Sequence, residues 1–327
     1  MIDMTLKQAF EYFIMDRETF CQEETITNYK NTIRYFVQFI EQERNCQADS
    51  VHLSELTRFD LKNYVIYLRN KVANEGHTFK KIDPEARLSK RTVRNYSVDL
   101  KTFFNFLIQE EFCDSDILKN FKLIRSESKT VIPLTASEVA KIDKSFLRRY
   151  PCTNTSGIRN LCIIHLMLDA GLRSNEVCEL RVDHVLLDNH QIFVKYGKGA
   201  KERVVPMGQD LRKYMWEWLN LYRKGIDHNY FLCAQDGSPL TECCIKSLFA
   251  RLRKTSQIPR LKPHLLRHTF ATCYIVDGGS VELLRILMGH SSISTTQIYM
   301  HIASVYDFQN DVYHLDPIFF HGYCRTK

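Results

Sequence analysis

Helical periodicity constrains the fold of this chain more than any other feature. Apolar residues recur at spacings of three and four, as in residues 26–40 and 93–107, and this spacing puts one apolar face on a helix. The period changes at 192–196, where apolar residues alternate. The turn Gly197-Lys198-Gly199 and the apolar pair at 204–205 follow, which predicts a β-hairpin. We therefore predict a mainly α-helical chain with a small antiparallel sheet.

The chain of 327 residues is long enough for two domains. Helical periodicity fails around residues 122–133, where polar residues accumulate, and the helix-start signal Thr135-Ala-Ser-Glu138 follows. We predict a linker there. It would separate a small helical bundle at residues 1–127 from a mostly helical domain with the small sheet at residues 128–327.

Composition narrows the class of protein. No apolar stretch approaches the length of a membrane span, and the first twenty residues mix charged with apolar side chains, unlike a secretory signal. We therefore expect a cytoplasmic protein. Its eleven cysteines include no pair with the two-residue gap of a zinc or redox motif, which predicts reduced thiols. Residues 128–327 hold 26 Lys and Arg against 18 Asp and Glu, an excess that suggests a polyanionic partner without proving one.

Basic residues in the first domain are candidate DNA contacts. The helix predicted at residues 90–107 carries four of them away from its apolar stripe: Lys90, Arg91, Arg94 and Lys101. They could meet DNA phosphates or base edges, or they could form an ordinary solvated face. The polar segment at residues 72–88 is predicted to be a basic loop.

Four short patterns in the second domain carry residue types that act on phosphate. They are Gly171-Leu-Arg173 with Glu176, Gly197-Lys198-Gly199 with Lys201 and Arg203, His264-Leu-Leu-Arg267-His268, and Gly289-His290 followed by Thr295-Thr-Gln-Ile-Tyr299. Taken singly, each also fits an ordinary reading: a surface arginine, a solvated hairpin tip, a core histidine, and one core tyrosine among 16. A metal site at His264 and His268 is disfavoured, because Arg267 would lie beside the cation and no nearby carboxylate or cysteine completes the ligands.

Together, the ordered residues from Arg173 to Tyr299 resemble the tyrosine recombinase (phage integrase) family. The chain is most similar to the short Xer and transposon-type integrases, because it begins directly with the helical domain. Two departures are small: Met288 replaces the usual leucine before Gly289, and the segment at 72–88 looks longer than in compact members. The resemblance implies a C-shaped DNA clamp, made of a core-site DNA-binding domain and a catalytic domain.

The resemblance also implies a role for each matching residue. Tyr299 is the nucleophile that forms a 3′-phosphotyrosyl bond. Arg173 and Arg267 clamp the phosphate oxygens, and Lys198 is the general acid to the 5′ oxygen. His264 accepts a proton and donates a hydrogen bond to the phosphate, and His290 donates a further hydrogen bond to the phosphate. Glu176 orients the cluster, and Lys201 and Arg203 contact the DNA backbone. We interpret His268 as structural. No metal or other cofactor is expected, because the arginines neutralise the phosphate charge.

The function implied is site-specific recombination that integrates, excises or resolves DNA. Its partner would be double-stranded DNA with paired inverted core half-sites. The apolar tail from about residue 303 must dock somewhere, and it could pack on its own domain. The resemblance favours the other option, in which the tail inserts into a neighbouring protomer and closes a tetramer on DNA. The alternatives are a type IB topoisomerase-like strand transferase and a non-catalytic DNA-binding regulator on the same scaffold. A metal-dependent nuclease is a weaker rival.

Overall fold

The computed structural model describes residues 4–73, 82–125, 131–149, 155–195, 202–306 and 311–321. The chain divides into two compact units, Met1–Lys129 and Thr130–Lys327. The predicted fold class is confirmed, because the described residues form a helical bundle in the first unit and helices with a small antiparallel sheet in the second. None of the helices in these residues is long and apolar enough to cross a membrane.

The first unit is built on four helices. They are α1 (Leu6–Glu18), α2 (Glu23–Arg44), α3 (Arg58–Asn70) and α4 (Lys90–Gln109). Three of them begin where the sequence offers a capping side chain: Thr5 caps α1, Thr57 caps α3, and Ser89 accepts the backbone N–H of Thr92 at the start of α4. The apolar stripes of α2 and α4 meet in an aromatic core around Phe36 and Phe104.

The predicted basic loop at residues 72–88 is described only at its ends. Val72 pairs with Arg87, and the backbone N–H of Ala73 donates to the carbonyl of Ala86 at 2.8 Å. These bonds fix the two ends side by side after α3 and before α4. Residues 74–81, including Lys80 and Lys81, lie outside the described part of the chain.

The second unit combines helices with a three-stranded sheet. The helices are α5 (Ala136–Arg149), α6 (Thr155–Leu168), α7 (Ser174–Glu179), α8 (Gln209–Glu217), α9 (Glu242–Thr255), α10 (Pro263–Val276), α11 (Val281–Met288), α12 (Ser294–Tyr306) and α13 (Ile318–His321). The strands are β1 (Val185–Leu186), β2 (Gln191–Val194) and β3 (Arg203–Pro206), antiparallel in that order. The two antiparallel strands of the predicted hairpin are therefore confirmed as β2 and β3, and its turn at residues 197–199 lies outside the described residues. Helix α10 is central, since it packs on both α6 and α12.

The described part of the tail is not a regular helix. Helix α12 spans Ser294–Tyr306, and residues 311–317 are not helical. Docking into a neighbour was expected, whereas here the tail packs on its own unit. The Tyr313 hydroxyl donates to Asp169 at 2.7 Å, the Leu315 backbone N–H donates to Asp277 at 2.9 Å, and Phe319 is 1% exposed against Phe270.

Asp169, which accepts the hydrogen bond from Tyr313 of the tail, also forms a buried ion pair with His165. The Nδ1 of His165 lies 2.6 Å from Asp169, and its Nε2 lies 3.3 Å from Asp143. Burial alone would lower the pKa of His165, but the two carboxylates raise it to about 10. Asp169 therefore contacts both the His165 ring and the Tyr313 hydroxyl of the tail.

Candidate active site

Glu176 is the centre about which the predicted phosphate-binding residues are arranged. It lies on α7, its side chain is fully buried, and three guanidinium groups face it. Arg173, at the N-cap of α7, donates to Glu176 from its backbone N–H at 2.8 Å and from its side chain at 2.9 Å. Arg267 on α10 lies 3.8 Å from the same carboxylate. The sequence-predicted pair of arginines is therefore brought together by one carboxylate.

The charge of Glu176 is kept by its arginine neighbours. Burial alone would raise the pKa of this carboxyl, but hydrogen bonds and charge from Arg203 and the charge of Arg267 lower it to about 2. The carboxylate is thus ionised at neutral pH. Because three cations face one anion, the cluster keeps an excess of positive charge that favours a bound anion.

Arg203 corrects the sequence interpretation, which made it a contact to the DNA backbone. Its side chain is 3% exposed, and it holds Glu176 through two parallel hydrogen bonds of 2.9 and 2.7 Å. Its Nε donates to the carbonyl of Leu287 at 2.7 Å. A DNA contact from Arg203 is therefore wrong: the alternating side chains of β3 put Arg203 on the same inward face as buried Val205.

Arg267 is fixed by backbone carbonyls as well as by charge. Its guanidinium donates to the carbonyls of Gly171 and Met288 and approaches His290 Nε2 at 3.4 Å. Gly171 has a φ of +65°, and a Cβ there would lie 2.5 Å from the ring of Phe270, so the loop before α7 can pack this closely on α10 only with glycine. Burial, followed by the charge of Arg173, lowers the pKa of Arg267 to about 9.

His290 lies directly after the C-cap of α11. Gly289 has a φ of +59°, and a Cβ there would be 3.0 Å from the guanidinium of Arg203, so glycine turns the chain toward the cluster. The Nδ1 of His290 lies 3.0 Å from the hydroxyl of Thr296, a fully buried residue of α12. Burial and then the charge of Arg267 lower the pKa of His290 to about 4, which makes it neutral at pH 7.

Tyr299 lies on α12 and is 3% exposed. Its hydroxyl is 2.9 Å from Nδ1 of His268 on α10, and the two rings are 5.5 Å apart. Burial raises the pKa of Tyr299 to about 12, while the charges of Arg267 and Arg173 oppose the rise. The interpretation of His268 as structural therefore missed a direct contact to the candidate nucleophile.

The remaining predicted residues are placed less centrally or are not described. His264 is exposed at the start of α10, and desolvation by surrounding protein, followed by the charge of Arg267, lowers its pKa. Lys198 and Lys201 lie within residues 196–201, outside the described part. In the first unit, Lys90 and Arg91 are exposed on α4.

Two of the four candidate DNA contacts on α4 are only partly accessible. Arg94 donates to the carbonyl of Ile124 at 3.0 Å and is half-buried. Lys101, which follows the buried Leu100 on α4, is also half-buried. Lys90 and Arg91 are therefore the better placed of the four for a polyanion.

Three features of the cluster together suit attack on a phosphate diester. Two arginines offer fixed planar donors, neutral imidazoles add further N–H groups, and a tyrosine hydroxyl lies close enough for its ionisation to respond to both arginines. The described residues contain no group of three or more histidine, cysteine or acidic side chains placed to hold a metal ion.

Comparison with protein families gives two matches that together span most of the chain. Residues 134–305 match the phage integrase family, and residues 5–123 match the phage integrase SAM-like domain. The first match contains the whole cluster described above.

Individual relatives are similar over most of their length. Tyrosine recombinase XerC of Bacillus subtilis is 26% identical over 84% of this chain and 93% of its own. Tyrosine recombinase XerD of Staphylococcus haemolyticus is 28% identical over 83% of this chain and 94% of its own. Among solved structures, the Tn1549 transposon integrase in complex with a circular intermediate DNA has a similar fold, with a TM-score of 0.72 and 20% identity over 90% of this chain and 95% of that one.

Proposed function

The chain belongs to the phage integrase family, and from this premise we propose that it is a site-specific tyrosine recombinase. It cuts DNA by forming a 3′-phosphotyrosyl bond at Tyr299 and reseals the strand with a 5′-hydroxyl. The observation that carries the proposal is the cluster itself, in which Glu176 holds Arg173 and Arg267 beside the buried Tyr299.

Each group in the cluster has a chemical task under this proposal. Arg173 and Arg267 neutralise the non-bridging oxygens as the pentacoordinate transition state forms. His264 and His290 donate hydrogen bonds to the phosphate. Glu176 positions the two arginines, since it bonds to Arg173 and lies 3.8 Å from Arg267, and Arg203 in turn holds Glu176. Because arginine supplies the charge neutralisation, no metal ion or nucleotide is required.

The DNA substrate follows from the same proposal. We propose double-stranded DNA with two inverted core half-sites, held in a clamp by both units: Lys90, Arg91, Arg94 and Lys101 from the first and Lys201 from the second. Residues 1–127 select the site, and the domain from residue 128 onward cuts it. We propose that this activity integrates, excises or resolves DNA and that it takes place in the cytoplasm.

The test begins with duplexes selected from a randomised pool by binding to the full chain. A nicked suicide substrate built on the selected site traps the protein on DNA, because the short 5′-hydroxyl fragment diffuses away. We expect a covalent adduct at the 3′ end in the presence of EDTA. No adduct, or cleavage that EDTA abolishes, would refute the proposal. Relaxation of supercoiled DNA without exchange between paired sites would instead favour a topoisomerase-like activity.

Lys198 is proposed as the general acid that protonates the departing 5′ oxygen. Lys198→Ala should slow cleavage by about 10²–10⁴. A substrate with sulfur at the 5′-bridging position should recover most of this loss, since a thiolate leaves without a proton. Lys195→Ala, at the end of β2, is the matched control for lost charge and should remain within a few-fold of wild type. Equal defects of Lys198→Ala on the oxygen and sulfur substrates would exclude the role.

We also propose that the tail is exchanged between protomers in a tetramer on DNA. The cis contacts at Asp169, Asp277 and Phe270 must then be released as the complex assembles, so the bound tail in the single chain is a resting position. Ending the chain after Asn310 keeps Tyr306, whose hydroxyl bonds to Leu134. It should spare binding to a single half-site and weaken cooperative binding to paired sites, as measured by gel shift. A truncated chain that unfolds, or that assembles like the full chain, would argue that the tail serves its own unit only.

A further inference from the structure

The proton of the Tyr299 hydroxyl needs an acceptor within the protein. An ordinary phenol exchanges its proton with water, but Tyr299 is 3% exposed. Burial raises the pKa of Tyr299 to about 12, so the hydroxyl is protonated at neutral pH. A phenol that attacks phosphorus must lose this proton as the new O–P bond forms. A side chain in contact with the phenolic oxygen is therefore well placed to accept it.

His268 makes that contact. Among the described residues, the hydrogen bond recorded at the Tyr299 hydroxyl goes to Nδ1 of His268, at 2.9 Å. This distance is within the range for proton transfer to a general base. His264, which the resemblance makes the proton acceptor, lies one helical turn earlier on α10 and is exposed to solvent. We therefore assign it to the bound phosphate and not to the proton of Tyr299. Packing of α12 on α10 sets the contact between His268 and Tyr299.

The protonation state of His268 fits an acceptor. Burial, followed by the charges of His264 and Arg267, lowers its pKa to about 4, so its ring is neutral at pH 7. A neutral ring that carries its hydrogen on Nε2 presents a lone pair at Nδ1. When a phosphate diester binds between the arginines, its negative charge offsets theirs, and the affinity of His268 for a proton rises.

We propose that Nδ1 of His268 accepts the proton of the Tyr299 hydroxyl as the phenolic oxygen attacks phosphorus, and returns it when the strand is resealed. The inference rests on the proposed function. In cleavage, the Tyr299 Oη–P bond forms and the P–O5′ bond breaks. One proton passes from Tyr299 to His268, and another passes from the general acid to the 5′ oxygen. Resealing reverses each transfer, so no oxidant or further reactant is needed.

An asparagine variant of His268 tests this role, and His301→Asn is its control. In His268→Asn, the amide oxygen lies near the former Nδ1 position and can still accept a hydrogen bond, but it cannot take up the proton at neutral pH. We expect cleavage of the suicide substrate to slow by about 10²–10⁴, with DNA affinity within a few-fold of wild type. His301→Asn, an exposed histidine of α12, is the control for a lost imidazole and should cleave at the wild-type rate.

The decisive readout is rescue by a more acidic nucleophile. A fluorinated tyrosine at position 299 loses its proton more readily, so it should recover most of the defect of His268→Asn and little of the defect of His264→Asn. An unimpaired His268→Asn, a defect that the fluorinated tyrosine leaves unchanged, or a preferential rescue of His264→Asn would each overturn the proposal. If the wild-type chain forms no adduct, the proposed function fails instead, which is a separate result.

A measurement on the unaltered protein covers the case in which His268→Asn does not fold. The ¹⁵N shifts of the His268 ring in the full chain report which nitrogen carries hydrogen. We expect hydrogen on Nε2 and a lone pair on Nδ1 at neutral pH. Hydrogen on Nδ1 would make His268 the donor and Tyr299 the acceptor, which would overturn the proposal.

Discussion

Tyr299→Phe is expected to abolish covalent attachment to DNA while leaving DNA affinity within a few-fold of wild type. The ring stays in place on the buried side of α12, and only the oxygen that attacks phosphorus is lost. Loss of its hydrogen bond to His268 should lower the free energy of unfolding by only about 1 kcal/mol. Trapping on a nicked suicide substrate, read by denaturing electrophoresis, measures the effect.

A second buried tyrosine provides the control for this change. Tyr306 lies on the same helix, is 1% exposed, and donates its hydroxyl to the carbonyl of Leu134. The same hydroxyl accepts the backbone N–H of Tyr313 at 3.3 Å. Tyr306→Phe therefore removes at least as much buried hydrogen bonding as Tyr299→Phe, without touching the reacting oxygen. It should still form the adduct. Attachment that survives in Tyr299→Phe would mean that another residue is the nucleophile.

Glu176→Gln is expected to have the largest effect on stability. The amide removes the charge that Arg173, Arg203 and Arg267 share, and breaking a buried ion pair from one side costs about 3–5 kcal/mol. Cleavage should also fall by a large factor, because the two catalytic arginines lose their common support. Chemical denaturation of the full chain at pH 7 measures the loss of stability.

The acid dependence of the same variant gives an independent check. The pKa of Glu176 is about 2 in the folded chain against an ordinary value of 4.5, so its ionised form stabilises the fold above pH 4.5. That contribution is lost as the pH falls from 4.5 toward 2, and the difference between wild type and Glu176→Gln should shrink over this window. Glu179→Gln, exposed on the same helix, should show neither effect. A Glu176→Gln chain as stable as wild type at pH 7 would contradict the central place given to this carboxylate.

The sequence predicted which residues carry the chemistry more accurately than it predicted the contacts that those residues make. Short motifs place Arg173, Arg267 and Tyr299 at helix starts or on helix faces, where local spacing settles their direction. The partner of His268, however, depends on how α12 packs on α10, and spacing within one helix cannot supply that. Spacing placed His268 on the face shared with His264 and Arg267, but it gave no reason to pair it with Tyr299.

Arg203 and the tail show how a local cue can be outweighed. The charge of Arg203 and the neighbouring basic turn favoured an exposed side chain. A buried carboxylate 27 positions away reversed this, because a paired charge can be buried where a single one cannot. In the tail, apolar spacing favoured docking into a neighbour, yet Tyr313 and Leu315 bond to Asp169 and Asp277 of their own unit.

The central claim is that this chain joins itself to DNA through Tyr299. The most direct test is to digest the trapped adduct with protease and nuclease and to locate the nucleotide by mass spectrometry. The account predicts one modified peptide, with a 3′-linked nucleotide on the oxygen of Tyr299. A nucleotide on any other residue, or one joined through its 5′ phosphate, would contradict it.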